Sequence, residues 1–287
     1  MSRIAYVNGR YLPHADAAIH IEDRGFQFAD GVYEVCEVRD GQIIDLTRHL
    51  DRLDRSLREL RMASPMAREP LKLVIREVLR RNRVRNGLFY LQVTRGVARR
   101  DHYFPAAGTP PTLTITAKSA DPRPALARYE TGIKAITVPE NRWNRVDIKT
   151  VGLLPNVLVK QQAREAGAQD AIFVDTAGNV TEAASSNVWI VSADGRLVTR
   201  PAEHGILRGV TRTTFLDVAA SLAIPVEERE FSVEEMLVAR EVFLTSATGS
   251  CVPVVEIDGR TIANGHPGSV AAALRSAFLH IAEKTTI

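Results

Sequence analysis

The chain has 287 residues, 45% of them hydrophobic and 25% charged, which fits one large soluble globular domain or two of ordinary size. Its formal net charge of +3 comes from basic residues scattered along the sequence, a pattern that argues against a nucleic-acid footprint. Two cysteines, Cys36 and Cys251, exclude a disulfide framework and a cysteine-rich metal site, and no apolar run reaches the length of a membrane span.

In chain order, Met1 to Gly9 reads as the start of a strand and turn in place of a signal peptide, so a reducing, cytoplasmic setting is expected. Tyr6-Val7 and Tyr11-Leu12 flank Asn8-Gly9-Arg10, a hairpin signal. Residues 31–38 alternate as a strand, and Arg39-Asp40-Gly41-Gln42 supplies the next turn. Leu50, Leu53, Leu57 and Leu60 recur at helical spacing after Thr47, which is expected to cap that helix. Leu71, Val74, Ile75, Val78 and Leu79 mark a second helix, and residues 88–94 and 112–117 read as strands. Two prolines among polar residues make Ser119 to Pro124 the expected linker. The domains are therefore expected at 1–118 and 127–287, joined by 119–126. Beyond the linker, strands are expected at 132–138, 171–174, 188–191 and 242–245, and helices at 156–166, 210–222, 233–239 and 269–282.

Only six lysines are present (Lys72, Lys118, Lys134, Lys149, Lys160, Lys284) among 37 basic residues. Lys149 follows Val146 and Ile148, so a position on a strand beside buried residues is expected, where partial burial lowers an amine's pKa and sharpens it as a nucleophile. Glu182 precedes Ala183-Ala184-Ser185-Ser186-Asn187, small residues that allow close approach to a ring. A carboxylate there either holds a pyridine nitrogen protonated or sits on a surface turn. Two loops suit an anion. In Ile206 to Arg212, Gly209 permits a tight entry, and the N–H groups of Val210 and Thr211 fall at a helix start. In Ser246-Ala247-Thr248-Gly249-Ser250, hydroxyls follow an apolar strand. Arg100 and His102, two positions apart in the basic stretch Arg95 to Tyr103, suit a carboxylate or form an exposed basic loop.

Taken in order, these segments resemble the fold type IV pyridoxal phosphate enzymes, and among them the D-amino acid transaminases. The similarity runs over nearly the whole chain. It is carried by Asp23 to Glu34, His49 to Leu53, Gln92 to Gly96, Arg100 to His102, Asp147 to Thr150, Thr181 to Asn187, Gly209 to Arg212 and Pro253 to Gly259. The resemblance implies an α/β fold of the α+β type with two domains, mixed sheets with flanking helices, and the cofactor pyridoxal 5′-phosphate in the interdomain cleft. It implies that Lys149 forms the Schiff base and moves the substrate proton, that Glu182 faces the pyridinium nitrogen, and that Arg52, Val210 and Thr211 bind phosphate. Leu207 packs against the ring, and Ser185, Ser186 and Asn187 line its other edge. No metal is implied. Tyr33, Arg100 and His102 trap the substrate carboxylate, the last two from the neighbouring subunit of a homodimer.

The implied reaction is ping-pong transfer of an amino group from a D-amino acid such as D-alanine to pyruvate or 2-oxoglutarate. Branched-chain L-amino acid aminotransferases and (R)-selective amine transaminases share the fold and are the alternatives. Two departures from the family pattern stand out. Ala247 replaces a phosphate-binding threonine, so either its N–H suffices or Ser246 and Thr248 take over. Ala183-Ala184 replaces a glycine and a serine. Arg99 beside Arg100 leaves open which of the two reaches the substrate, although the spacing to His102 favours Arg100.

Overall fold

The computed structural model describes residues 3–203 and 205–287. The chain divides into two compact units. The first takes in the residues up to Asp121 together with Ile148–Gly152 and Glu283–Ile287; the second takes in Pro122–Asp147 and Leu153–Ala282.

In the first unit, β1 (Ile4–Val7) and β2 (Arg10–Pro13) form the expected hairpin. A short helix α1 (Arg24–Phe28) precedes β3 (Gly31–Arg39) and β4 (Gln42–Ile44). Helices α2 (Leu46–Glu59) and α3 (Arg68–Arg81) lead to β5 (Gly87–Thr94) and β6 (Thr112–Ser119). The sheet, antiparallel throughout, is closed at one edge by the C-terminal strand Lys284–Thr286, which pairs with β4. The leucine spacing explains α2. Leu46, Leu50, Leu53 and Leu57 face one core with Leu71, Ile75, Val78 and Leu79 of α3 and with Val32, Cys36 and Val38 of β3. Each such leucine contributes about 2 kcal/mol by leaving water.

The N-cap of α2 is Asp45, in the left-handed region at φ 54° and without a side-chain cap bond. Thr47, the expected cap, lies instead in the first turn, where its Oγ1 donates to Glu283 Oε1 at 2.8 Å. The C-terminal segment, far away in sequence, has taken that hydroxyl, which no local pattern encodes.

In the second unit, α4 (Arg123–Thr131) precedes β7 (Ile133–Pro139), α5 (Leu154–Glu165), β8 (Asp170–Val174), β9 (Val180–Ala183), β10 (Asn187–Val191) and β11 (Leu197–Thr199). Then follow α6 (Val210–Ser221), β12 (Val226–Glu228), α7 (Val233–Leu237), β13 (Glu241–Ser246), β14 (Ser250–Ile257), β15 (Arg260–Thr261) and α8 (Ser269–Ile281). This sheet mixes antiparallel pairs with the parallel pairs β7–β8, β14–β7 and β11–β12. With flanking helices in both units, the fold is α/β of the α+β type.

The expected linker at 119–126 runs from the end of β6 into a helix. Pro122 is the N-cap of α4 and Pro124 sits in its first turn, where a missing N–H costs nothing and a fixed φ suits the helix. The expected second domain at 127–287 also differs, because Ile148–Gly152 and Glu283–Ile287 pack with the first unit.

Candidate active site

The candidate side chains fall into two groups, one in each unit. In the first, Lys149 lies on the segment laid along β3. The amide of Tyr33 donates to the Lys149 carbonyl at 3.0 Å, and that of Val151 to the Gly31 carbonyl at 3.0 Å. Thr150 bridges Val32, and Ile148 is buried in the core. Gly31 allows β3 to lie this close to β5, for a Cβ there would meet the Val93 carbonyl oxygen at 2.9 Å. Lys149 is thus held by its backbone, half-buried, with Nζ 4.2 Å from the centroid of the Tyr33 ring. Tyr33 in turn stacks on Tyr90 at 5.5 Å.

Next to Tyr33, Glu34 points into the core and takes three charge-assisted bonds. Arg52 donates through Nε and Nη2 at 2.8 Å each, and His49 Nδ1 lies 2.7 Å away. Burial pushes the Glu34 carboxyl up, but Arg52 and His49 outweigh it and hold it at about 2. Burial also lowers the His49 imidazole, with Glu34 pulling the other way. Arg52 therefore has its position and orientation set from β3.

Because the folded value of Glu34 lies below its ordinary 4.5, its stabilisation is complete above that pH. It is lost as the pH falls from 4.5 to about 2, amounting to about 3 kcal/mol. Glu34→Gln is expected to cost about 3 kcal/mol at neutral pH by leaving Arg52 without its buried counter-charge, and to flatten the acid limb. Denaturant melts at pH 7 and at pH 3 check this; equal losses at both would count against it.

Arg100 and His102 lie on the exposed loop after β5. They share a platform, with the Arg100 guanidinium carbon 5.0 Å from the Phe28 centroid and the His102 ring 5.5 Å from it. Arg99 is also exposed, and no ring contact is seen for it among the described residues.

In the second unit, Glu182 on β9 is 6% exposed. One oxygen, Oε1, accepts from Arg142. The other, Oε2, accepts from the Leu207 amide at 3.2 Å and from Asn187 Nδ2 at 3.3 Å. Arg142 also binds Glu140 and lies over the Phe173 ring at 4.3 Å. Burial raises the Glu182 carboxyl above its ordinary value even against Arg142. Asn187 links this carboxylate to the next loop, donating to the Leu207 carbonyl at 2.9 Å. Gly209 passes so close that a Cβ would fall 2.1 Å from Asn187 Oδ1.

Gly209 is the N-cap of α6, which has no side-chain cap bond, and Val210 and Thr211 are buried at its start. Orphan N–H groups at an uncapped helix start favour an anion. Ser185 and Ser186 form the turn before β10, with the Ser186 carbonyl accepting from the Ala183 amide at 2.8 Å. Ser246 ends β13, and Ala247 and Thr248 enter the turn to β14, where Ser246 Oγ accepts from the Gly249 amide at 3.2 Å.

Within the second unit, then, Glu182, Asn187, Leu207, Gly209 and the α6 start come together; within the first, Lys149 meets Tyr33, and Arg52 is fixed by Glu34, the residue after Tyr33. Each group offers something pyridoxal phosphate requires: in the second unit a buried carboxylate and a helix start suited to phosphate, in the first an amine held at its backbone. Sequence reading missed Glu34 and His49, which fix Arg52, and Arg142, which fixes Glu182. Glu34 on β3 and His49 on α2 belong to different elements, so no periodicity links them. Arg142, preceded by Glu140 and Asn141, reads as an ordinary surface residue.

Comparison with known proteins agrees. Residues 31–257 match the family model for amino-transferase class IV. A D-alanine aminotransferase of Bacillus licheniformis is 39% identical over 282 residues, covering 97% of this chain and 98% of its own. One of Staphylococcus haemolyticus is 39% identical, covering 95% of each. The crystal structure of the Escherichia coli branched-chain amino acid aminotransferase matches with a TM-score of 0.92 at 26% identity, covering 98% of this chain and 95% of its own. That of a second branched-chain amino acid aminotransferase, complexed with N-(5′-phosphopyridoxyl)-L-glutamate, matches at 0.89 and 26%, covering 98% and 94%. The buried carboxylate, the held amine and this full-length similarity together place the chain in the class IV aminotransferases, which work with pyridoxal 5′-phosphate.

Proposed function

We propose that this chain is a D-amino acid transaminase that passes the amino group of a D-amino acid such as D-alanine to pyruvate or 2-oxoglutarate by ping-pong turnover. The observation that carries this reading is the pair Arg100 and His102 held over one ring, in a chain whose full-length relatives at 34–39% identity are D-alanine aminotransferases. The branched-chain enzymes that share the fold are only 25–27% identical.

When bound, the cofactor supplies an aldehyde for covalent capture of the amine and a ring that withdraws electrons from the substrate Cα. Lys149 Nζ would hold the cofactor in the resting enzyme and, once free, would take up and return the proton at the substrate Cα. Glu182 keeps a proton on the ring nitrogen. Arg52, the amides of Val210 and Thr211 and the turn Ser246-Ala247-Thr248 bind the phosphate, while Leu207, Ser185, Ser186 and Asn187 line the ring. Tyr33, Arg100 and His102 bind the substrate carboxylate, the guanidinium by two parallel bonds. With the carboxylate fixed, the D enantiomer turns its Cα–H toward Lys149.

Arg100 and His102 serve the neighbouring subunit of a homodimer. The exposure of Ile21, Phe26, Tyr103 and Phe104 supports an interface beside them in the first unit, as does that of Leu154, Val157 and Leu158 on α5 in the second. Two buried free cysteines suit a reducing cytoplasm, and no helix of the described residues is long and apolar enough to cross a membrane.

The deciding experiment follows the visible spectrum of the loaded protein with D-alanine or L-leucine and no oxo acid. A change with D-alanine alone is expected; a change with L-leucine alone would assign the chain to branched-chain L-amino acids. Arg100→Ala is expected to raise KM for D-alanine about 50-fold with cofactor binding intact, the loss of one charged, paired contact. Steady-state kinetics check it, and an unchanged KM removes Arg100 from the trap.

A further inference from the structure

Arg100 and His102 are exposed, and a long side chain on an exposed loop samples many rotamers unless something holds it. What holds them here is α1. Arg24 is 4% exposed, and its Nη1 donates to the Asp101 carbonyl at 2.7 Å, the peptide oxygen between the two trap residues. Its guanidinium carbon lies 4.8 Å from the Phe28 centroid. The same ring carries Arg100 at 5.0 Å and His102 at 5.5 Å. One aromatic ring therefore contacts both trap residues and the residue that binds the backbone between them.

The start of the loop is held by the same device. Arg24 Nε donates to Asp30 Oδ2 at 2.8 Å. Arg95 donates to Asp30 through Nε at 2.7 Å and Nη2 at 2.9 Å. A single carboxylate thus joins the arginine at the root of the loop to the arginine that binds its tip.

We propose that Arg24 and Phe28 are positioning residues for the substrate carboxylate, presetting the spacing and direction of the Arg100 guanidinium and the His102 imidazole. This rests on the trap role given above to Arg100 and His102. The preset pair favours ligands that bear a carboxylate on the reacting carbon, 2-amino acids and 2-oxo acids alike, because rotamer freedom is lost in the free enzyme and not on binding. It acts on affinity and leaves the proton transfer at Lys149 alone.

The test uses cofactor-loaded full-length enzyme in five forms: wild type, Phe28→Leu, Phe28→Tyr, Arg24→Lys and Arg100→Ala. KM and kcat are measured with D-alanine, and cofactor loading is read from the visible band. Phe28 is half-buried, so its substitution spares the core. Phe28→Leu should raise KM about fivefold while kcat changes less than about twofold, the loss of one cation–π contact to Arg100 and the ring contact to His102. Phe28→Tyr keeps the aromatic face and should restore the wild-type KM. Arg24→Lys, which keeps the charge and loses the fork that reaches Asp101 and Asp30 together, should raise KM in the same way.

Four results would overturn the proposal. The first is an unchanged KM in Phe28→Leu while Arg100→Ala raises it, which leaves the trap standing. The second is kcat and loading falling together with no rise in KM, which marks Phe28 as part of the general fold. The third is failure of Phe28→Tyr to restore KM. An unchanged KM in Arg100→Ala, the fourth, would remove the trap itself and the proposal with it.

Discussion

Replacing Lys149 with alanine is expected to lower kcat about 10,000-fold, since in the proposed reaction one amine serves both as the covalent anchor and as the base at Cα. The structure favours this residue over the other lysines by how it is held. Its carbonyl accepts from the Tyr33 amide at 3.0 Å, and its own amide donates to Ser56 Oγ at 3.4 Å. Ile148 before it is buried in the core. Lys160, by contrast, binds Asp170 and the Gln169 carbonyl on an exposed surface. Lys72 pairs with Glu69 one turn away, and Lys134 with Glu256. A readout independent of turnover is available: borohydride reduction of the loaded protein should add the cofactor's mass to the peptide holding Lys149, and to none in Lys149→Ala. A tag on another lysine, or a kcat within about tenfold of wild type, would sink the assignment.

Glu182→Gln should be the next largest loss, a fall in kcat of roughly 100- to 1,000-fold, on the scale of removing one preorganised electrostatic partner. Both carboxylate oxygens accept, Oε1 from Arg142 and Oε2 from the Leu207 amide and Asn187. A glutamine must therefore turn its NH2 toward a donor whichever way the amide is flipped. It also removes the charge proposed to keep a proton on the ring nitrogen. Arg142 retains Glu140, so the fold should survive. The check is the half-reaction rate with D-alanine beside a cofactor-binding titration. A rate within about fivefold of wild type would show that Glu182 does not set the ring's charge.

The chemistry was more legible than the topology. Composition and spacing made Lys149 and Glu182 candidates, a lysine being rare in this chain and small residues following the carboxylate, and the resemblance to a family then singled them out. The amphipathic helices were legible for a similar reason: the leucines of α2 and the apolar positions of α3 repeat at the period of the helix they build. The Asn8-Gly9 hairpin needs only its own turn residues. The division between the units does fall within 119–126, after Asp121, but the prolines hid the helix that opens there, because the same residue that breaks a helix inside can open one at its first turn. Thr47 misled because its competitor for the cap, Glu283, is more than two hundred residues away.

By itself the sequence determined the local elements, the residue types able to do amine chemistry, and the family in which those types recur in this order. These are properties of short windows and of their succession. The tertiary structure alone decided which side chain fixes which. It laid Ile148–Gly152 along β3 in the first unit and set Glu34 and His49 behind Arg52. It also put Arg142 on Glu182 and Arg24 under the loop of Arg100 and His102. Each of these contacts joins residues distant in sequence. Their strength comes from burial, which removes competing water and which only the folded chain provides.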